Sequence, residues 1–236
     1  MTGPLGKKVD TPSSFAPEIL FSISRDEQRY KKQLINQDGV DIWNIHELFW
    51  VDKKGHAYHD EISIHIPAQS PNTVESKSLK LFINSLIHQR FVNLDDVKNV
   101  IKLHLEELLD AEISIGKIHK KVSTPHHQVI TNSELKLLFT TKGQTKLKGF
   151  RGFRSLCPVT SQPDIAEIFI DGNIHDKDLD GVSSYLGSFF KRECFHELCI
   201  EHIYSDLIKA GFDIKKVEGY FERRGGIAII PIRYSQ

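Results

Sequence analysis

The chain has no long apolar run. Met1 to Asp10 lacks the apolar core of a secretion signal, and no window approaches a membrane span. The sequence therefore reads as a cytoplasmic protein without a membrane partner. Cysteine is scarce. Three in 236 residues do not make a disulfide framework, and the odd count fits a reducing compartment. Neither charge sign dominates. Lys+Arg and Asp+Glu are both 31, which argues against the basic excess that a broad nucleic-acid footprint requires. No G-x-G-x-x-G follows a strand, so a Rossmann fingerprint gives no ground for a nicotinamide cofactor. What remains is 39% hydrophobic and 26% charged, ordinary for a globular protein and long enough to bury one large core or two small ones.

Residues 1–40 are polar, carry Pro4, Pro12 and Pro17, and read as an N-terminal arm. Asp41–Trp50 reads as a strand, 52–55 as a turn, and Glu61–Pro67 as a strand with one buried face, because its apolar residues alternate. A helix to about Gln89 carries the stripe Leu79, Phe82, Ile83 and Leu86. A second, capped by Asn93, carries Val97, Ile101, His104, Leu105 and Leu108. Ala111–Ile115 returns to strand alternation. Residues 41–120 thus form a first unit. Residues 121–150, rich in Lys, Thr, Gly and Ser, read as a connector with a short strand at Leu135–Phe139.

Residues 151–236 read as a second unit. Asp164–Asp171 is a strand. A helix from Asp178 buries Leu179, Val182, Leu186 and Phe189. Another from near Cys194 buries Phe195, Cys199, Ile203 and Leu207. The tail splits at Arg223-Arg224-Gly225-Gly226 into two strands, where glycine supplies the positive φ of a hairpin turn. The expected architecture is α+β: two tandem β-β-α-α-β-β units, each an antiparallel sheet backed by a helix pair.

Four stretches have chemical potential. In Cys157-Pro158-Val159-Thr160-Ser161-Gln162-Pro163-Asp164, two prolines exclude a helix interior or central strand, leaving a nucleophile and a proton donor on stiff backbone. A plain loop with a buried cysteine has the same composition. Glu75-Ser76-Lys77-Ser78 enters a helix, where free N–H groups and a lysine suit a phosphate, or simply cap the helix. Phe195-His196-Glu197 opens a helix, and its carboxylate suits either the helix dipole or the paired N–H donors of a guanine-like edge. Two arginines beside exposed glycine backbone at 223–226 suit a turn, and also phosphates. His56, His59 and His65 do not follow a zinc pattern, and Cys194 and Cys199 are five apart.

Together these stretches resemble one family, the NADPH-dependent 7-cyano-7-deazaguanine reductases, nitrile reductases of queuosine biosynthesis, in their longer two-unit form. The resemblance rests on Asp41-Ile42-Trp43 with Glu47-Leu48, Glu75-Ser76-Lys77-Ser78 with Lys80-Leu81, Cys157 with Gln162-Pro163-Asp164, Phe195-His196-Glu197 with Cys199, and Arg223-Arg224-Gly225-Gly226. They lie in family order across most of residues 41–234. The resemblance implies a tunnelling fold and a homodimer. It implies Cys157 as the nucleophile and Asp164 as the general acid. Val74, Glu75, Ser76, His196 and Glu197 would hold the base, and Ser76, Lys77, Arg224 and Gly225 would contact NADPH. No metal is expected. The arm, connector and C-terminus are short against that subfamily. Two other readings are a zinc-dependent tunnelling-fold hydrolase of the GTP cyclohydrolase kind, using Cys157, His196 and Cys199, and a purine- or pterin-binding module without catalysis.

Overall fold

The computed structural model describes residues 11–35, 38–121, 129–130, 138–139 and 147–235. The chain divides into two compact units. The first comprises residues 1–30, 42–119 and 223–228, and the second 31–41, 120–222 and 229–236. Each is α+β.

The first unit begins with β1 (Ser22–Ser24) and α1 (Arg25–Arg29). The long strands β2 (Asp38–Asp52, in this unit from Ile42) and β3 (Ala57–Pro67) follow, then β4 (Asn72–Val74) and α2 (Ser76–Ser85). β5 (Arg90–Phe91), α3 (Leu94–Leu109) and β6 (Ser114–Gly116) complete it. β3 lies between β2 and β6, and β6 pairs with it antiparallel. β5 adds a two-residue parallel pairing to β2. α2 buries Leu79, Phe82 and Ile83 at helical spacing, followed by Leu86 in the turn after it. α3 starts where the Asn93 side chain accepts the Asp96 N–H and stops at Asp110, which turns left-handed at φ 52°. His104 packs its ring against Phe15 and Phe82, so it is a packing histidine.

The second unit holds β7 (Val129–Ile130), β8 (Leu138–Phe139), β9 (Leu147–Leu156), β10 (Pro163–Gly172), α4 (Leu179–Gly187), α5 (His196–Lys209), β11 (Ile214–Phe221) and β12 (Ile227–Tyr234, in this unit from Ile229). The strand order is β12-β11-β10-β9-β8-β7, and β9, β10 and β11 pair antiparallel. From β9 onward the element order is β-β-α-α-β-β. One core lies between sheet and helices, where Phe153, Ile168 and Val217 meet Leu186, Cys199 and Ile203, all fully buried.

Several boundaries differ from those expected. The arm is not separate: residues 17–29 carry a 3-10 turn, β1 and α1, and residues 31–41 pack with the second unit, where the Ile35 N–H donates to Ser205 Oγ at 3.0 Å. The expected connector overlaps β9, whose Leu147–Phe150 are already strand. Lys148 and Gly149 hide the strand signal, since neither is an apolar strand former, although Gly149 and Phe150 are both buried. The strand expected at Leu135–Phe139 is described only at 138–139. α2 begins at Ser76, earlier than its first apolar residue, and α5 begins at His196, two residues after Cys194.

One histidine makes the second unit sensitive to acid. The Arg192 guanidinium donates to His202 Nε2 at 2.9 Å, so that nitrogen must be unprotonated. Burial, then the positive charge of Arg192, lower the His202 pKa from 6.5 to about 4. The unfolded chain therefore binds this proton between those values while the folded chain does not. The resulting stability is fully present above pH 6.5 and is lost as pH falls towards 4. After discounting for solvent it amounts to about 1–3 kcal/mol. Denaturant titrations at pH 7 and pH 5 should show the loss, and His202→Gln should flatten it. An equal slope in that variant would assign the pH dependence elsewhere.

Candidate active site

In the second unit, β9 and β10 form a hairpin with Leu156 opposite Pro163 and Ser155 opposite Asp164. The Cys157 N–H donates to the Gln162 carbonyl and the Ser161 N–H to the Cys157 carbonyl, each at 2.9 Å. The pairing thus runs one step beyond the strands, and Ser161 closes the loop in the left-handed region at φ 54°. Side chains alternate along a strand, so Cys157 shares a face with Ser155, and Gln162 with Asp164. Cys157 and Asp164 are diagonal neighbours on that face, with Cα atoms about 7–8 Å apart. It is the helix-covered face. Asp164 is only 5% exposed, while Cys157 at the hairpin end is half-buried.

The same hairpin end anchors α5. The Leu156 N–H donates to the Arg192 carbonyl, and the Cys194 N–H to the Leu156 carbonyl, both at 2.9 Å. This lacing brings the first turn of α5 to the Asp164 side chain: His196 Nε2 lies 3.6 Å from Asp164 Oδ1. The His196 ring stands edge-on to Phe221 at 4.5 Å, which fixes its orientation. Glu197, next on the helix, is 3% exposed. A carboxyl group and an imidazole therefore meet on this hairpin, and the Cys157 thiol leaves its end on the same face, a candidate nucleophile with two candidate proton carriers. The other cysteines are poorly placed for this. Cys194 and Cys199 are buried, and burial pushes the Cys199 thiol well above its ordinary range. A thiol so placed is also a poor zinc ligand, which weighs against the hydrolase reading. Among the described residues no cluster of three or more His, Cys, Asp or Glu is arranged for a metal.

The remaining candidates lie in the first unit. Val74 ends β4, whose partner β1 pairs Ser22 with it. The Glu75 N–H donates to the Phe21 carbonyl at 2.8 Å, and the Phe21 N–H to Ser78 Oγ at 3.1 Å. The N-terminal segment thereby fixes the whole motif. Glu75 is 2% exposed and caps α2: Oε1 accepts the Lys77 N–H and Oε2 the Ser78 N–H, both at 2.8 Å. A carboxylate has about four acceptor sites, so this leaves it able to accept from a ligand as well. Ser76 and Lys77 form the first turn, half-exposed.

The turn at 223–226 returns to α2. The Arg224 N–H donates to the Ile227 carbonyl at 2.9 Å and the Ile227 N–H to the Arg224 carbonyl at 3.1 Å, with Gly225 at φ 55° and Gly226 at φ 82°. Only glycine adopts both without strain. A side chain on Gly225 would run into the Lys80 ammonium, and one on Gly226 into the Glu47 carboxylate. Bare backbone beside a lysine and an arginine suits a phosphate, so these residues fit the pyrophosphate-bearing cofactor of the resemblance. Arg223 is held by Glu47 at 2.5 Å.

Sequence comparison places the chain. Residues 11–117 match the family described as nitrile reductase, 7-cyano-7-deazaguanine-reductase N-term, and residues 163–236 the family described as QueF-like protein. An NADPH-dependent 7-cyano-7-deazaguanine reductase of Desulfotalea psychrophila is 33% identical over 252 residues, spanning 98% of this chain and 91% of the relative. One of Bordetella avium is 34% identical over 251 residues, spanning 98% and 92%. The chain belongs to this family of NADPH-dependent nitrile reductases. It is an oxidoreductase with the tandem tunnelling fold expected of it.

One feature of the site was not read from sequence: the contact of His196 with Asp164, residues 32 apart that only the β9–α5 lacing joins. The capping alternative at residues 75–78 was legible, and the structure assigns the cap to Glu75. Glu75→Gln separates the cap from the base contact that the resemblance implies. Loss of a two-pronged cap lowers stability by about 1 kcal/mol, a melting shift of a few degrees. Loss of an acceptor for the base weakens nitrile binding roughly tenfold. Melting curves and nitrile titration read the two separately. A lowered melting temperature with unchanged binding would leave Glu75 a cap alone.

Proposed function

We propose that this chain reduces the nitrile of 7-cyano-7-deazaguanine to the primary amine of 7-aminomethyl-7-deazaguanine, a step of queuosine biosynthesis, through a covalent thioimide on Cys157. The observation that carries the reading is the hairpin register, which sets the one half-exposed cysteine on the same face as Asp164. The Cys157 thiolate attacks the nitrile carbon, forming a C–S bond while a carbon–nitrogen π pair moves to nitrogen. Asp164 supplies the proton that nitrogen takes up, and His196, 3.6 Å away, is placed to return one to it. A nitrile carbon accepts hydride poorly and a protonated thioimide accepts it better. NADPH, when bound, supplies the hydride for both reductions. Once the thioimide carbon is reduced, the C–S bond breaks, its electron pair returns to sulfur, and the imine left behind undergoes the second reduction. Val74, Glu75, Ser76, His196 and Glu197 hold the base, and Ser76, Lys77, Arg224 and Gly225 hold the cofactor.

The three cysteines are free, which suits a reducing cytoplasm, and we take the chain to act as a homodimer. NADPH absorbance followed with and without 7-cyano-7-deazaguanine tests the reading. Consumption should depend on the nitrile at two NADPH per nitrile. Nitrile-independent turnover, or none with folded protein, would refute it. Sedimentation reads the dimer.

A further inference from the structure

The first unit carries an aromatic pair that the assigned roles do not use. Phe49 is 48% exposed, unusual for so large an apolar side chain next to the buried Leu48 and Trp50. Its ring stacks on that of His59 across the β2–β3 hairpin, with centroids 4.6 Å apart and planes 20° apart. The pair is held before any ligand arrives. His59 Nε2 donates to the His46 carbonyl at 2.9 Å, and His46 is itself bonded to Glu61 at 2.7 Å. Two exposed rings locked in parallel offer a flat π surface to a third.

The surroundings indicate what that third ring brings. Glu47 lies two residues before Phe49 on the same strand, hence on the same face and about 7 Å away. Its carboxylate is held by Arg223 and packs against Gly226. On the far side of that turn Gly225 lies against Lys80, and Lys77 sits one helical turn earlier on α2. From Glu75 the surface therefore runs through Lys77, Lys80 and the Arg224-Gly225 turn to the Phe49–His59 stack. A base-holding motif, a cationic stretch and an aromatic platform follow one another within one unit. The cations outnumber the carboxylates there, because Glu47 is neutralised by Arg223.

We infer that Phe49 and His59 form the platform on which the adenine of NADPH stacks, with the 2′-phosphate and pyrophosphate taken by Arg224, Lys80 and Lys77. The inference rests on the reading of the chain as an NADPH-dependent reductase and adds the adenosine end of the site. Stacking supplies affinity and the cations select the phosphorylated cofactor, because an adenine face alone does not tell NADPH from NADH.

Calorimetric titration of the full chain with NADPH and with adenosine 2′,5′-bisphosphate, which has no nicotinamide, tests it. Phe49→Ala should weaken both about tenfold or more, and Phe49→Trp should restore them. The mass adduct formed with the nitrile in the absence of NADPH should be unchanged. Lys80→Ala should narrow the preference for NADPH over NADH. Equal affinities in wild type and Phe49→Ala, with matching melting curves, would overturn the platform while leaving the reductase reading intact. So would a shift in oligomeric state with unchanged cofactor affinity, which would make this face a contact between copies. Failure of the wild-type chain to bind NADPH would instead bring down the reading on which the inference rests.

Discussion

Cys157→Ala should abolish both capture of the nitrile and turnover, the largest functional loss expected of any single substitution here. Incubated with 7-cyano-7-deazaguanine and no NADPH, the protein should gain the mass of one nitrile, and peptide mapping should find it on the peptide containing Cys157. The reason is access as much as chemistry. Cys157 leaves the hairpin end half-exposed, whereas Cys194 is 3% exposed and Cys199 fully buried. Cys194 is also no helix-start thiol, because α5 begins two residues later and the Cys194 backbone is tied to Leu156. Cys194→Ala should therefore keep adduct and turnover. Asp164→Asn should slow adduct formation without abolishing nitrile binding, because the nitrogen loses its proton source while the base contacts remain. An adduct on Cys194, or full turnover by Cys157→Ala, would reduce residues 157–164 to an ordinary loop.

The largest loss of stability should come from Arg233→Met. Arg233 is fully buried in the second unit. Its guanidinium donates to Asp41 Oδ1 at 2.7 Å, to Glu201 Oε1 at 2.9 Å and to the Ile232 carbonyl at 2.9 Å. Burial opposes its charge, but the two carboxylates outweigh burial and hold its pKa above the ordinary value. Methionine matches the shape of the stem and leaves Asp41 and Glu201 buried without that cation. Breaking a buried pair from one side costs about 3–5 kcal/mol, whereas replacing every member is often close to neutral. The single variant should therefore melt on the order of 10 °C lower. The combination with Asp41→Asn and Glu201→Gln should recover most of that loss. Glu201 lies one helical turn beyond Glu197 on α5, so the single variant also loosens the helix proposed to hold the base. A melting temperature within a degree or two of wild type would show that the triad contributes little.

Local physics made much of this legible in the sequence. Asn93 before an apolar stripe, the Arg-Arg-Gly-Gly turn and the alternation of Glu61–Pro67 are short-range signals, and each element formed where its signal lies. β9 escaped because lysine, arginine and glycine interrupt its strand pattern, and the segment at residues 17–29 escaped because its partners, β4 and α2, lie about fifty residues away. Within the second unit, the candidate residues Cys157, Asp164, His196 and Glu197 could be named from residue type and order alone. Their arrangement could not, since it depends on hairpin register, and a shift of one residue would turn Cys157 to the opposite face.

The sequence by itself determined the α+β class, the chemistry available at Cys157 and Asp164, and the family, because these depend on residue identity and on spacing along the chain. Only the tertiary structure decided that Asp164 meets His196, that Arg233 joins Asp41 to Glu201, and that Phe49 stands exposed on His59. Each of these joins residues on different elements, and pairing across elements is set by register and packing, which sequence spacing does not encode.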